Sequence, residues 1–234
     1  MQDGGWPMAT NLFEMPAQPM LAFPEPLTEK YRPLRIADFV GLEKAKKICG
    51  RLIQQPMPMN LFFIGNSGTG KSTLARAMAQ EMPAEFHHVP SRECDIQTVR
   101  DLVKQCHYVP RLREDWTKPS KMHLVLCDEA DSMSRAAQDA FLSVLDGTSR
   151  PPNTIFVFTA NASDNLEVRF MSRCTVLEFS SYGIAKDVAE LLAKVWDAET
   201  DNPVEHPNFA RIVKDSNNNV REALNRLQVE IMMA

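Results

Sequence analysis

Apolar and polar positions follow two different regimes along this chain. Up to Phe179, short apolar runs stand at 60–64, 85–89, 122–127, 154–159 and 175–179. Between them, at 42–55, 73–80, 95–106 and 136–145, apolar residues return every three or four positions. Short runs bounded by turn residues predict strands, and the longer period predicts amphipathic helices. Near-continuous apolar strands that alternate with helices predict an α/β domain, a five-stranded parallel sheet covered on both faces. After Ser180 the strands stop. Stretches 184–196, 208–214 and 220–232 read as three helices, with Asn217, Asn218 and Asn219 as a turn and N-cap cluster before the last. The expected organisation is a disordered arm over 1–26, a sheet domain over 27–180 and a small all-helical domain over 181–234. Residues 27–41 read as an extended linker ended by Pro33, with Asp38 or Gly41 starting the first helix.

Composition narrows this picture only slightly. A chain of 234 residues with 44% apolar content suits one medium and one small globular unit. The net charge of -4 argues against a uniformly basic nucleic-acid coat but leaves room for a local basic groove. No apolar run approaches membrane-spanning length and no secretory leader opens the sequence, so a cytoplasmic place and no membrane partner are expected. The five cysteines are odd in number and widely spaced, with no C-x-x-C pair. Reduced, mostly buried thiols are expected, and no zinc site.

The chemistry centres on Gly65, Asn66, Ser67, Gly68, Thr69, Gly70, Lys71, Ser72 and Thr73, which fit G-x-x-x-x-G-K-[ST] without a mismatch. The motif follows a predicted strand and opens a predicted helix, the context it needs. Glycines let backbone N–H groups converge on phosphate oxygens, and the helix turns its positive end to the same anion. Lys71 is then the ligand of the β- and γ-phosphates of ATP, and Ser72 a Mg²⁺ ligand. The apolar run ending in Asp128 and Glu129 supplies a second magnesium-supporting acid, Asp128, and a base for the attacking water, Glu129. Asn161 ends the next strand, where an amide can hold that water or touch the γ-phosphate. Arg173 precedes the fifth strand and suits transition-state charge in a neighbouring subunit. Arg221 opens the last helix, where an acid would suit the dipole better, which hints at nucleotide binding from the helical domain.

Taken together these motifs resemble AAA+ ATPases, and within them the small subunits of clamp loaders of the replication factor C type. Glu29-Lys30-Tyr31-Arg32-Pro33 with Asp38-Phe39-Val40-Gly41 is similar to the family's opening segment, which lies against the adenine; Tyr31, Arg32 and Val40 are carried over from it. Residues 65–73 match Walker A, Asp128-Glu129-Ala130-Asp131 matches Walker B, and Asn161 matches sensor 1. Ser172-Arg173-Cys174 matches the SRC motif with its trans-acting arginine. Asn219-Val220-Arg221-Glu222 resembles the sensor 2 helix, with Arg221 as its arginine. The resemblance covers about residues 27 to 232 and implies an oligomer, homo- or hetero-, joined through its ATPase domains. It departs from the family in lacking the third, helical collar domain.

The family also implies double-stranded DNA and a protein partner such as a sliding clamp. Residues 91–100 resemble the segment that tracks duplex phosphates, so Arg92, Arg100 and Lys104 are DNA-contact candidates, one helical turn separating the last two. The loop holding Arg111, Arg113, Lys118 and Lys121 adds positive charge. Within the arm, 18–23 loosely resembles the peptides that dock on sliding clamps, a pattern that ordinary disordered tails also meet by chance. Three readings follow: an ATP-hydrolysing motor that loads or remodels a DNA-bound partner, a nucleotide-gated scaffold on DNA with slow hydrolysis, and a remodeller acting on protein only. A DEAD-box helicase is excluded, because the sequence has no Ser-Ala-Thr motif and no room for a second motor domain.

Overall fold

The computed structural model describes residues 24–108, 122–147, 149–200 and 206–233. Nearly all of the expected arm, including 18–23, lies outside the described residues, as does the basic stretch from Arg111 to Lys121.

Five strands form one parallel sheet: β1 (Met59–Gly65), β2 (Ala84–Pro90), β3 (Met122–Asp128), β4 (Thr154–Ala160) and β5 (Thr175–Phe179), in the spatial order β2-β3-β4-β1-β5. Parallel neighbours need crossovers, and helices supply them. Helices α1 (Leu27–Lys30) and α2 (Glu43–Gln54) precede β1, α3 (Lys71–Glu81) follows it, and α4 (Ile96–Cys106) joins β2 to β3. The β3-to-β4 crossover is α5 (Arg135–Leu145), and the short α6 (Val168–Met171) precedes β5.

Each face of the sheet has its own core. Leu61, Phe63, Leu124 and Val157 meet Leu74 and Met78 of α3 and Leu52 of α2. On the other face Phe141, Phe158 and Phe170 interlock edge-on, with centroids 5.2 and 4.9 Å apart. Aromatic pairs in this geometry add about 0.5–1.5 kcal/mol to the burial they already provide. Every residue of β4 is buried, as expected for a strand covered on both sides.

Helices α7 (Ala185–Glu199), α8 (Phe209–Asp215) and α9 (Val220–Met233) pack around Val188, Leu192, Trp196 and Leu227. Leu27 of α1 enters the same cluster. This corrects the extended opening expected before Pro33: residues Leu27–Lys30 make a helical turn, held by Glu29 and Lys30 N–H bonds to the Pro26 carbonyl. Burying Leu27 is worth roughly 1.5–3 kcal/mol, enough to select a turn that propensity alone would not. Nor does Asp38 or Gly41 cap α2: Asp38 ends a 3₁₀ turn, and Leu42, at φ 60°, is the residue before the helix. Asn219 does cap α9, its side-chain oxygen accepting the Glu222 N–H at 3.3 Å.

Candidate active site

The carboxyl ends of β1, β3 and β4 lie side by side because β1 pairs with β4 and β4 with β3. Each strand then delivers one part of the site. The loop after β1 turns through Gly68 at φ 78° and Gly70 at φ 90°, and α3 begins on Lys71. A Cβ at Gly65 would stand 2.1 Å from the Phe179 carbonyl oxygen, and one at Gly68 2.3 Å from Asn219 Oδ1. These glycines therefore let the loop be gripped from both sides, by β5 and by α9.

Lys71 is 8% exposed. Its ammonium donates to the carbonyls of Gly65 at 2.6 Å and Asn66 at 2.9 Å, and to Asn161 Oδ1 at 3.0 Å. Burial lowers its proton affinity, Arg221 lowers it further, and the nearby carboxylates of Asp128, Asp131 and Glu129 oppose the shift. Ser72 Oγ donates to Asp128 Oδ1 at 2.6 Å. Thr159 Oγ1 donates to the same oxygen and accepts the Glu129 N–H at 3.1 Å. Glu129 itself sits at φ 58°, so the chain turns sharply between the two acids and sends them in different directions. The Asn161 N–H is held by Asp131 at 3.1 Å.

The groups converge on a cleft of about 130 Å³ lined by Ser67, Lys71, Ser72, Asp128, Glu129 and Arg221. A second cleft, about 230 Å³, adjoins it through Gly68, Gly70, Thr73 and Arg221. Its wall is Tyr31, Arg32 and Val40 on one side and Leu191, Val220 and Leu224 on the other. The small cleft is polar, with the cations Lys71 and Arg221 facing the carboxylates of Asp128 and Glu129, and the larger one is mostly apolar. That pairing fits a nucleoside triphosphate with its phosphates at Lys71 and its base under the helical domain. The hard oxygens of Ser72 and Asp128 fit Mg²⁺. Tyr31 reaches α7, donating to Glu199 Oε1; burial, then that carboxylate, pushes its phenol up to about 12.

The structure thus brings together the residues of the phosphate loop, Asp128, Glu129, Asn161 and Arg221. Arg173 does not join them. It precedes β5, and its carbonyl accepts from Asn60 at the start of β1. From Asn60 to Gly65 the strand rises roughly 16 Å, at about 3.3 Å per residue. Arg173 donates instead to Asp146, through Nη2 at 3.0 Å and through Nε, and to the Arg169 carbonyl. Arg92 is exposed, and its Nε stands 4.0 Å from Glu129 Oε2. Arg100 and Lys104 are exposed on α4. Thr159, Asp131 and Asn219 carry site geometry that sequence reasoning missed. Asn219 donates to the Ser67 carbonyl at 2.7 Å, tying α9 to the phosphate loop.

Fold and site together define a P-loop nucleoside-triphosphatase of the α/β type with a helical lid. Residues 61–182 match the profile of the ATPase family associated with various cellular activities (AAA). The chain belongs to that family. It is 29% identical over 206 residues to replication factor C subunit 2 of Arabidopsis thaliana, covering 87% of this chain and 61% of that protein. It is 30% identical over 209 residues to replication factor C small subunit 1 of Pyrobaculum islandicum, covering 86% and 60%. The chain thus spans about three fifths of the length of these relatives. In fold it is similar to the RuvB Holliday junction branch migration motor of Thermotoga maritima, with a TM-score of 0.69 at 18% identity over 85% of this chain and 64% of that one. Among the described residues, no helix is long and apolar enough to cross a membrane.

Proposed function

We propose that the chain is an ATP-hydrolysing AAA subunit that works as an oligomer on double-stranded DNA, loading or remodelling a DNA-bound protein partner as clamp loaders do. One observation carries this reading. Lys71, Ser72, Asp128, Glu129 and Arg221 line one cleft at the carboxyl end of the sheet, while Arg173 lies at the amino end of the same sheet. A second copy, docked with its amino end against the first copy's cleft, would complete the site.

The residues divide the work as follows. Lys71 exchanges its loop carbonyls for the β- and γ-phosphates, while the backbone of 65–73 and the start of α3 supply N–H groups. Ser72 and Asp128 would hold Mg²⁺, which when bound neutralises charge between those phosphates. Thr159 fixes Asp128 and the Glu129 backbone, leaving the Glu129 carboxylate to take a proton from the attacking water. Asn161, already on Lys71, touches the γ-phosphate; Arg221 reaches it from the lid. Tyr31, Arg32 and Val40 line the base. Arg173 of the neighbouring copy meets the charge that develops as the terminal phosphate leaves.

The Arg92–Glu129 approach favours a DNA-linked motor over a protein-only remodeller. Arg92 begins the segment that continues into Arg100 and Lys104, so an anion that draws Arg92 away releases the base. Duplex DNA is then expected to raise turnover, and Arg92→Ala to raise it without DNA.

The decisive experiment mixes two inactive variants. Lys71→Ala and Arg173→Ala should each fail to turn over ATP alone. Mixed in equal amounts they should recover a substantial part of the wild-type rate, because Lys71→Ala copies lend Arg173 to sites that still bind ATP. A mixture as inactive as its parts would overturn the shared site. Turnover unaffected by DNA would leave the protein-only reading in its place.

A further inference from the structure

The sheet edge formed by β2 carries chemistry that ATP turnover does not use. Strands β2 and β3 pair with Glu85 opposite His123, and alternate residues of a strand share a face. Glu85, His87 and His123 therefore look toward α4, which ends on Cys106 beneath them. His87 Nε2 lies 3.0 Å from His123 Nδ1. The ligand atoms of His87, Cys106 and His123 all lie within 4.8 Å of one another. His123 and Cys106 are fully buried, and His87 is half-buried. A Glu85 carboxylate oxygen stands 3.6 Å from His123 Nδ1.

A mutual hydrogen bond between two histidines would satisfy those rings, but it leaves the rest of the arrangement without a reason. His123 Nε2 is 2.9 Å from the Tyr108 carbonyl. A carbonyl only accepts, so this nitrogen carries the ring proton and Nδ1 presents a lone pair toward His87 and Cys106. An imidazole N–H anchored on a backbone carbonyl is the outer contact that fixes the tautomer of a metal-binding histidine. Burial lowers the proton affinity of His87, with the Glu85 carboxylate opposing the shift. Two imidazoles, a thiol and a carboxylate are a donor set for zinc rather than for magnesium or calcium. Tetrahedral zinc, with bonds of about 2.0–2.3 Å, sets its ligand atoms roughly 3.3–3.8 Å apart. The histidine pair is already near that spacing, the widest separation among these three must contract by about an ångström, and Glu85, which stands close to His123 alone, must swing further in.

We propose that His87, Cys106 and His123, with Glu85 as the fourth ligand, form a structural zinc site that clips the edge strand β2 and the carboxyl end of α4 to β3. Binding releases one proton, from the Cys106 thiol to solvent. The His87 ring proton moves from Nε2 to Nδ1, so both histidines ligate as neutral rings. Thiolate and carboxylate balance the ion's charge. The clip lies at the end of β2 remote from Arg92 and in the last turn of α4, beside Lys104, and it stands or falls independently of the nucleotide reading.

The test uses the full chain, stripped with EDTA and titrated with Co²⁺ in excess Mg²⁺. The expected result is one equivalent of Co²⁺ with tetrahedral d–d bands and a thiolate-to-cobalt charge-transfer band, all displaced by Zn²⁺. Cys106→Ser should lose the charge-transfer band. His87→Gln, at the half-buried ligand and so the mildest change to the core, should weaken binding by at least the ~10–100-fold that losing an outer contact costs. Co²⁺ bound without a thiolate band overturns the proposal, even if Cys106→Ser fails to fold. So does a His87→Gln protein that binds like the wild type.

Discussion

The two ends of the sheet are built on opposite plans. At the carboxyl end, the charges of Lys71, Asp128 and Asp131 are tied to groups of the same chain, through Asn161, Ser72, Thr159 and the loop carbonyls. Those bonds span β1, β3 and β4, so the site is tied together within one chain. At the amino end, Asn60 plays the organising part: its amide donates to the Arg173 carbonyl at 3.0 Å and its oxygen accepts from Arg150 at 3.0 Å. Yet the guanidinium of Arg173 points outward and rests on Asp146, an exposed residue. One end is an anion receptor that lacks one arginine; the other holds a cation on a carboxylate that an incoming phosphate can replace. The difference argues that neither end is complete within one copy.

The sharpest way to break that comparison is to remove the outward cation. Arg173→Ala should leave ATP binding intact and lower turnover by ~10³–10⁵-fold, the range of arginines supplied across an interface. Steady-state hydrolysis beside nucleotide titration measures both, and a loss of binding would place Arg173 in its own chain's site instead. Glu129→Gln attacks the receptor end. It should keep ATP bound and cut turnover by about 10²–10⁴-fold, the usual contribution of a general base. Assemblies should persist longer in ATP, and unchanged turnover would remove Glu129 from the chemistry.

Asn219→Ala tests the tie between receptor and lid. It removes both the cap on α9 and the bond to the Ser67 carbonyl. Loss of such a cap costs about 1 kcal/mol, or roughly fivefold if the lid's closure carries the whole of it. ATP affinity should fall by that factor with turnover at saturation little changed. A fall in saturated turnover alone would show that Asn219 acts on chemistry rather than on closure.

How much of this was legible in the sequence depended on whether a function sits in contiguous residues. The five strands and the phosphate loop were, because apolar runs and a strand–loop–helix motif are local. Asp128 and Glu129 were, because they end an apolar run. Arg173 was placed before β5, but nothing in the spacing said that β5 would put it a strand's length from Lys71; register decides that. Thr159 stayed hidden because its partners, Asp128 and Glu129, lie on a neighbouring strand. The α1 turn stayed hidden because its stability comes from Leu27 reaching the lid cluster. The absence of a C-x-x-C pair argued against zinc, yet His87, Cys106 and His123 come from three elements that only the sheet order brings together. Arg92 was read as a DNA contact from its segment, and its approach to Glu129 needed the 3₁₀ turn at Ser91–Glu93.

The weakest effects should come from the carboxylate that holds Arg173. Pairs between exposed side chains contribute little, so Asp146→Asn should change turnover by no more than about fivefold. The direction is the informative part. Three donors of Arg173 are engaged within its own chain, and freeing two of them should ease transfer to a neighbour's phosphate, raising turnover. A fall would mean that Asp146 aims the guanidinium rather than detaining it. The pH dependence gives an independent check. The Arg173 hydrogen bond holds the Asp146 carboxyl below its ordinary value. A depressed folded-state value contributes stability that is present above the unfolded value, about 3.9, and is lost as pH falls through the folded one. The small difference in melting temperature between wild type and Asp146→Asn should therefore stay constant from about pH 8 to 5 and vanish in more acid solution. A difference that instead opened between pH 6 and 8 would assign the effect to a histidine and leave the Asp146–Arg173 pair without a thermodynamic role.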